Sequence, residues 1–311
     1  MVEKGGFMTD GEHRFGGDWT EQKLSALRKY LEAYTTALKK RSFQLTYIDG
    51  FAGTGYRADK FGSSDPFQGQ LIEQERAEQE KWLEGSATIA LKTTPGFHRF
   101  IFIEKQQKHA DALQELKEKY RDKRTIEIIP GEANRELTRI CQEENWRNQR
   151  AVCFLDPYGM QVEWSTLKAI AATEAIDLWL LVPFGSAVTR LLPHSGKIPE
   201  EWQKRLDIFF GTEKWREAIY REPVSKAVQG SLFGGDSMQK TKERQSLENI
   251  ENYFIERMRE IFPLVHQRPL HLKTASNQWL YSFFFAVSSR NKRAQGIAEN
   301  IAGHIIKKLS E

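Results

Sequence analysis

Residues 264–288 read LVHQRPLHLK, then TASNQ, then WLYSFFFAVS. Two stretches that read as strands, Leu264 to Lys273 and Trp279 to Ser288, flank a polar link of five residues, Thr274-Ala275-Ser276-Asn277-Gln278. A link that short joins antiparallel neighbours, whereas parallel strands need a crossover of a dozen residues or more. The stretch therefore predicts an antiparallel hairpin near the carboxyl end of the chain.

What precedes the hairpin has a different rhythm. Phe43 to Asp49, Arg99 to Glu104, Thr125 to Pro130, Ala151 to Asp156 and Ile176 to Phe184 read as short apolar strands. Between the last four lie Gln107 to Tyr120, Ala133 to Asn145 and Trp164 to Ala172, each with helical periodicity. Such alternation predicts a parallel sheet covered on both faces. Ahead of it, Leu24, Leu27, Tyr30, Leu31, Tyr34 and Leu38 recur at helical spacing within Trp19 to Lys40. The long connection from Tyr56 to Pro95 carries one expected helix, Pro66 to Leu83. Further helices are expected at Pro199 to Phe210, Thr212 to Arg221, Arg244 to Ile261 and Asn291 to Leu309.

Five β-α units closed by an antiparallel hairpin match the seven-strand plan of class I methyltransferases, whereas a dinucleotide-binding dehydrogenase domain stays parallel to its end. The expected fold is thus α/β and Rossmann-like, a mostly parallel seven-stranded sheet ending in an antiparallel hairpin, with a helical insert before the last two strands. The expected division is a flexible tail at 1–17, a core at 18–185, a mainly helical insert at 186–242 that serves substrate recognition, and completion of the core at 243–311.

The 311 residues carry a net charge of +4, which permits a polyanionic partner without demanding one. Cys141 and Cys153 lack Cys-x-x-Cys spacing and a nearby histidine pair, so no metal site or disulfide framework is expected, only small buried hydrophobes. With no apolar signal core and no run near the ~18 apolar residues that span a bilayer, the expectation is a cytoplasmic protein without membrane contact.

Three strand ends carry the chemistry. The first is Tyr47-Ile48-Asp49-Gly50-Phe51-Ala52-Gly53-Thr54-Gly55, an apolar strand running into a glycine turn. Glycines there let a ligand approach the backbone, and Asp49 suits the ammonium group of S-adenosylmethionine. Phe51, Gly53 and Gly55 complete the candidate cofactor loop, although an ordinary tight turn capped by aspartate accounts for the same string. The second is Phe100-Ile101-Phe102-Ile103-Glu104, where a carboxylate at the strand end suits a ribose diol. Glu104 also suits a solvated acid opening a helix. It follows Asp49 by 55 positions because of the inserted segment. Glu132, after the third strand, suits the border of an adenine ring, or simply a helix dipole.

The third is Cys153-Phe154-Leu155-Asp156-Pro157-Tyr158-Gly159. An exocyclic base amine is a poor nucleophile because its lone pair is delocalised into the ring. A fixed carboxylate and a proline-held carbonyl accept its hydrogens and localise charge during attack, and an aromatic side chain stacks on a flipped base. Asp156, Pro157 and Tyr158 suit those roles; a β-turn after a strand is the plainer account. Phe184, ending the fifth strand, suits either the target pocket or the core.

With these strings in hand, the chain resembles the three-Cys-motif partner (TcmP) family of methyltransferase-like bacterial proteins. The resemblance is carried by Asp49 to Gly55, Phe102-Ile103-Glu104, Leu155-Asp156-Pro157-Tyr158-Gly159 and Trp179 to Gly185. It implies a Rossmann-like methyltransferase fold and a partner protein of the three-Cys-motif type. Asp156-Pro157-Tyr158-Gly159 is also similar to the Asp-Pro-Phe-Gly signature of enzymes that methylate the guanine amino group in tRNA. It departs from the Asp/Asn-Pro-Pro-Tyr/Phe of adenine amino methyltransferases.

Three functions are consistent with these residues. One is a methyltransferase that uses S-adenosylmethionine to modify an exocyclic amino group of a base in RNA or DNA. Another is a methyltransferase-like binding subunit that acts with a three-Cys-motif partner and transfers no methyl itself. The third is a nicotinamide-dependent oxidoreductase. It lacks the expected third glycine, since Ala58 stands where Gly-x-Gly-x-x-Gly needs one.

Overall fold

A computed structural model describes residues 18–52, 85–122, 124–221 and 243–311. The expected tail at 1–17, the helix expected at Pro66 to Leu83, the glycines Gly53 and Gly55, and the 222–242 part of the insert lie outside the described residues.

Five strands, β1 (Gln44–Asp49), β2 (Arg99–Glu104), β3 (Thr125–Pro130), β4 (Gln149–Leu155) and β5 (Ile176–Val182), lie parallel in the order β3-β2-β1-β4-β5. Two short strands, β6 (Tyr220–Arg221) and β7 (Glu243–Arg244), form a separate antiparallel ladder. The main sheet is completed by β8 (Leu264–Val265), β9 (Leu270–Lys273) and β10 (Trp279–Val287). β10 runs antiparallel beside β5, and both β8 and β9 pair with its other side. Among the described residues, eight strands thus fill seven positions of this sheet. The single outer strand expected from Leu264 to Lys273 is broken around Pro269, which lacks the N–H needed to continue a ladder. The hairpin turn is held by Thr274, whose carbonyl accepts from Asn277 N at 2.8 Å and whose Oγ1 accepts from Gln278 N at 3.0 Å.

Both faces of the sheet are covered, and alternate residues of the central strands enter two separate cores. Ile48, Cys153, Leu155, Leu178, Leu180 and Phe284 enter one. It is closed by α4 (Ala133–Glu143), α5 (Trp164–Ala172), α6 (Glu200–Phe210), α7 (Trp215–Ile219) and α8 (Leu247–Arg259). Tyr47, Phe154, Trp179, Phe283 and Phe285 enter the other. It is closed by α1 (Asp18–Leu38), α2 (Ser86–Lys92), α3 (Gln107–Tyr120) and α9 (Lys292–Ser310). This double burial explains why the strands read as continuous apolar runs. Among the described residues, no helix is long and apolar enough to cross a membrane.

The described part of the insert is packed, not loose. Phe209 stacks on Phe254 with ring centroids 5.0 Å apart, and Arg257 donates to the carbonyl of Phe210 from Nε and Nη2, closing the end of α6. Gly211 follows at φ +67°, a conformation that favours glycine. A Cβ there would lie 2.0 Å from the Trp164 ring, so α6 is pressed against α5. Cys141 and Cys153 are buried and unbridged, as expected of small hydrophobes.

Candidate active site

Parallel register brings the acidic strand ends to one edge. Asp49 lies opposite Phe102 of β2 and Phe154 of β4, and Glu104 lies opposite Pro130 of β3. Asp156, two residues beyond Phe154, stands at the same edge, close enough for its charge to act on Asp49. A cleft of about 580 Å3 opens there, lined by Gly50 and Phe51 after β1, Glu104, Glu132 and Asn134 after β3, and Met160 and Gln161 after β4. Arg205 and Ile208 of α6 complete its wall.

Asp49 stands behind the cleft, which begins one residue later at Gly50. Its side chain has no exposed surface. Oδ1 accepts from Phe51 N at 3.2 Å; Oδ2 accepts from Ser86 Oγ at 2.8 Å and Tyr47 OH at 3.3 Å. Burial pushes this carboxyl up to about 7; the charge of Asp156 pushes the same way, against the bonds from Ser86, Phe51 and Tyr47. Gly50 is closely packed: a Cβ there would lie 2.4 Å from Leu155 Cδ2, and that side chain would have to shift.

Glu104 is buried, and its Oε1 accepts from Gln106 N at 2.5 Å, which pins the carboxylate at the mouth of α3. Glu132 lines the cleft but is also the N-cap of α4: its carboxylate accepts from Asn134 N at 3.1 Å and Arg135 N at 2.9 Å. Asn134, which sequence reasoning passed over, joins the two sides of the cleft. Its Nδ2 donates to Glu132 Oε1 at 2.8 Å and to the Gln161 carbonyl at 2.9 Å. Its Oδ1 accepts from Glu163 N at 3.0 Å and Thr166 Oγ1 at 2.8 Å.

After β4, Pro157 is buried, Tyr158 is half-buried, and Gly159 turns the chain at φ +68°. Asp156 is 16% exposed, and Lys23 Nζ of α1 donates to its Oδ2 at 2.6 Å. Lys23 is 2% exposed. The sequence carries a signal for it: Trp19, Lys23, Ala26, Tyr30 and Tyr34 form one buried stripe at helical spacing, with a lysine among apolar residues. Phe184 resolves to the core, where it is fully buried against Phe254 and Phe284. Gly185 sits against the β10 backbone, where a Cβ would lie 1.8 Å from the Trp279 carbonyl oxygen.

The cleft fits an adenosyl cofactor in size and chemistry. Its volume falls in the ordinary range of small-molecule sites, roughly 300–1,000 Å3. Glu104 offers a pinned carboxylate for a diol, while Phe51, Ile103, Ala133, Met160 and Ile208 offer apolar surface for a purine. Among the described residues, no cluster of histidine, cysteine and carboxylate side chains is placed to hold a metal ion.

No family model and no curated protein matches the chain. Solved structures of similar course include protein LPL1258 from Legionella pneumophila, of family-model DUF519, at 10% identity and TM-score 0.42, covering 90% of this chain and 91% of that one. Spermidine synthase from Thermotoga maritima aligns at 10% identity and TM-score 0.38, over 88% of this chain and 61% of that one. SMU.472, in complex with SAH, aligns at 8% identity and TM-score 0.22, over 60% and 49%. The order β3-β2-β1-β4-β5-β10, with β10 antiparallel and an outer strand beyond it, gives this chain the Rossmann-like fold of class I methyltransferases.

Proposed function

We propose that the protein is an S-adenosylmethionine-dependent methyltransferase acting on an exocyclic amino group of a nucleic-acid base, in RNA or DNA. The observation that carries this reading is the position of Asp156-Pro157-Tyr158, at the end of β4 on the same sheet edge as the cofactor-sized cleft. Glu104 and the apolar walls would hold the adenosyl group, with Glu132 at the border of the purine. When bound, the cofactor supplies a methyl group made electrophilic by a sulfonium.

The chain's own residues prepare the amine. Among the described residues, Lys23 is the only hydrogen-bond partner of Asp156, through Oδ2, so Oδ1 is left to accept an N–H of the substrate. No described group donates to the carbonyl of Pro157, which suits the second N–H. Two acceptors fixed on one turn draw the nitrogen lone pair out of conjugation and stabilise the positive charge that grows there. Tyr158, half-buried beside them, suits the face of the base. The resemblance to the TcmP family supports a three-Cys-motif partner protein working beside this chain.

The test is transfer of labelled methyl from S-adenosylmethionine to total RNA and DNA. Asp156→Asn, which keeps size but replaces an anionic acceptor by an amide, should slow transfer by about 10²–10³-fold, the usual scale for one preorganised electrostatic contact. Transfer that survives this change at full rate would sink the assignment.

A further inference from the structure

We infer that Lys23 is the positioning residue of the catalytic centre: it orients Asp156 for the substrate amine and supplies its counter-charge. The inference rests on the amino-methyltransferase reading above. Lys23 and Asp156 are separated by 133 positions in sequence, yet their charged atoms meet at 2.6 Å. An ammonium group that is only 2% exposed is costly to bury unless a carboxylate pairs with it. The carboxylate paired with it is that of Asp156, just past the end of β4, on the sheet edge where the cleft opens.

The arrangement also solves a problem of like charge. Asp49 and Asp156 stand at the ends of adjacent parallel strands, and the charge of Asp156 raises the cost of ionising Asp49. Lys23 approaches Asp156 from the face of the sheet that holds Tyr47 and Asp49, and its bond occupies Oδ2 alone. With one oxygen tied, the carboxylate rotor is fixed and Oδ1 is held in one direction. Trp19 confines the ammonium in turn, its ring centroid 5.3 Å from Nζ, and itself stacks on Tyr281 of β10 at 5.0 Å. Helix α1 thus brings a charge to the reaction centre as well as covering the sheet.

A purely structural ion pair would lower stability when broken but leave turnover per folded molecule unchanged. A positioning residue acts through Asp156, so the two effects on turnover should not add. Methyl transfer would be measured for wild type, Lys23→Met, Asp156→Asn and the double variant, with S-adenosylmethionine affinity by calorimetry and folding by circular dichroism. Lys23→Met should lower kcat about 10- to 100-fold with KM and cofactor affinity held within about threefold. The double variant should be no slower than Asp156→Asn alone. Should Lys23→Met not fold, Lys23→Gln keeps a donor toward Asp156 without the charge, and a smaller loss of kcat, at least about threefold, is expected. A normal kcat in the Lys23 variants, or additive losses, overturns the role of Lys23 while leaving that of Asp156 intact. An inert wild type, or an Asp156→Asn variant at full rate, overturns the underlying reading and this inference with it.

Discussion

Asp49 offers a quantitative check on the electrostatics of the sheet edge, because its carboxyl has no exposed surface and is pushed up to about 7 by burial. In the unfolded chain the same group titrates near 4 (~3.9). Between these values the folded state keeps a proton that the unfolded state has lost, so the free energy of unfolding falls as pH rises through the window. A separation of about three pK units is worth about 4 kcal/mol, of which roughly 3 kcal/mol falls between about pH 5 and about pH 8. Asp49→Asn removes the titration and spares the bonds. The amide oxygen accepts from Phe51 N, and the Ser86 and Tyr47 hydroxyls can turn to accept from the amide nitrogen. Urea unfolding of both proteins across this range gives the answer as a difference, in which other titrating groups cancel. Among them is Asp177, also pushed up to about 7 by burial and bonded by Tyr30 OH at 2.6 Å. The variant should gain about 3 kcal/mol on the wild type from the acid to the alkaline end. A difference that stays flat within about 0.5 kcal/mol, or moves the other way, would show that Asp49 ionises as freely inside the protein as outside, and the desolvation argument fails.

Two further outcomes bear on the cleft. Ile208 is 52% exposed although α6 is anchored by the buried Leu206, Phe209 and Phe210, so it projects from a rigid helix into the cleft wall. Ile208→Asp should weaken S-adenosylmethionine binding about tenfold by calorimetry, from lost apolar cover worth ~1 kcal/mol and the charge beside a purine, while stability changes by less than about 0.5 kcal/mol. Asn134→Ala should lower stability by about 2–4 kcal/mol in urea, because the Glu163 amide and the Thr166 hydroxyl lose their acceptor and Gln161 loses its tie to α4; an unchanged midpoint would show that Asn134 does not hold the cleft together.

How much of this was legible beforehand follows from the range of the interactions. The strands β2 and β3 and the helices α3 and α5 fall where periodicity puts them, since burial on two faces or one writes itself into consecutive residues. The break in the outer strand had a local mark as well, Pro269, which gives way only when the partner β10 is in view. Glu132 shows the opposite case. An acid at that point was visible, but its engagement as the cap of α4 depends on amides two and three residues on, a short-range bond that competes with any duty toward a ligand. The partner of Lys23 lay beyond local reasoning: its apolar stripe marks the lysine as unusual, yet only the pairing of β1 with β4, and the packing of α1 over both, brings Asp156 to it. The acids of the site come from strand ends, which topology aligns and sequence can announce. The cation paired with one of them, Lys23, comes from a different layer, and on the proposed reading it ties α1 to the chemistry at the end of the fourth strand.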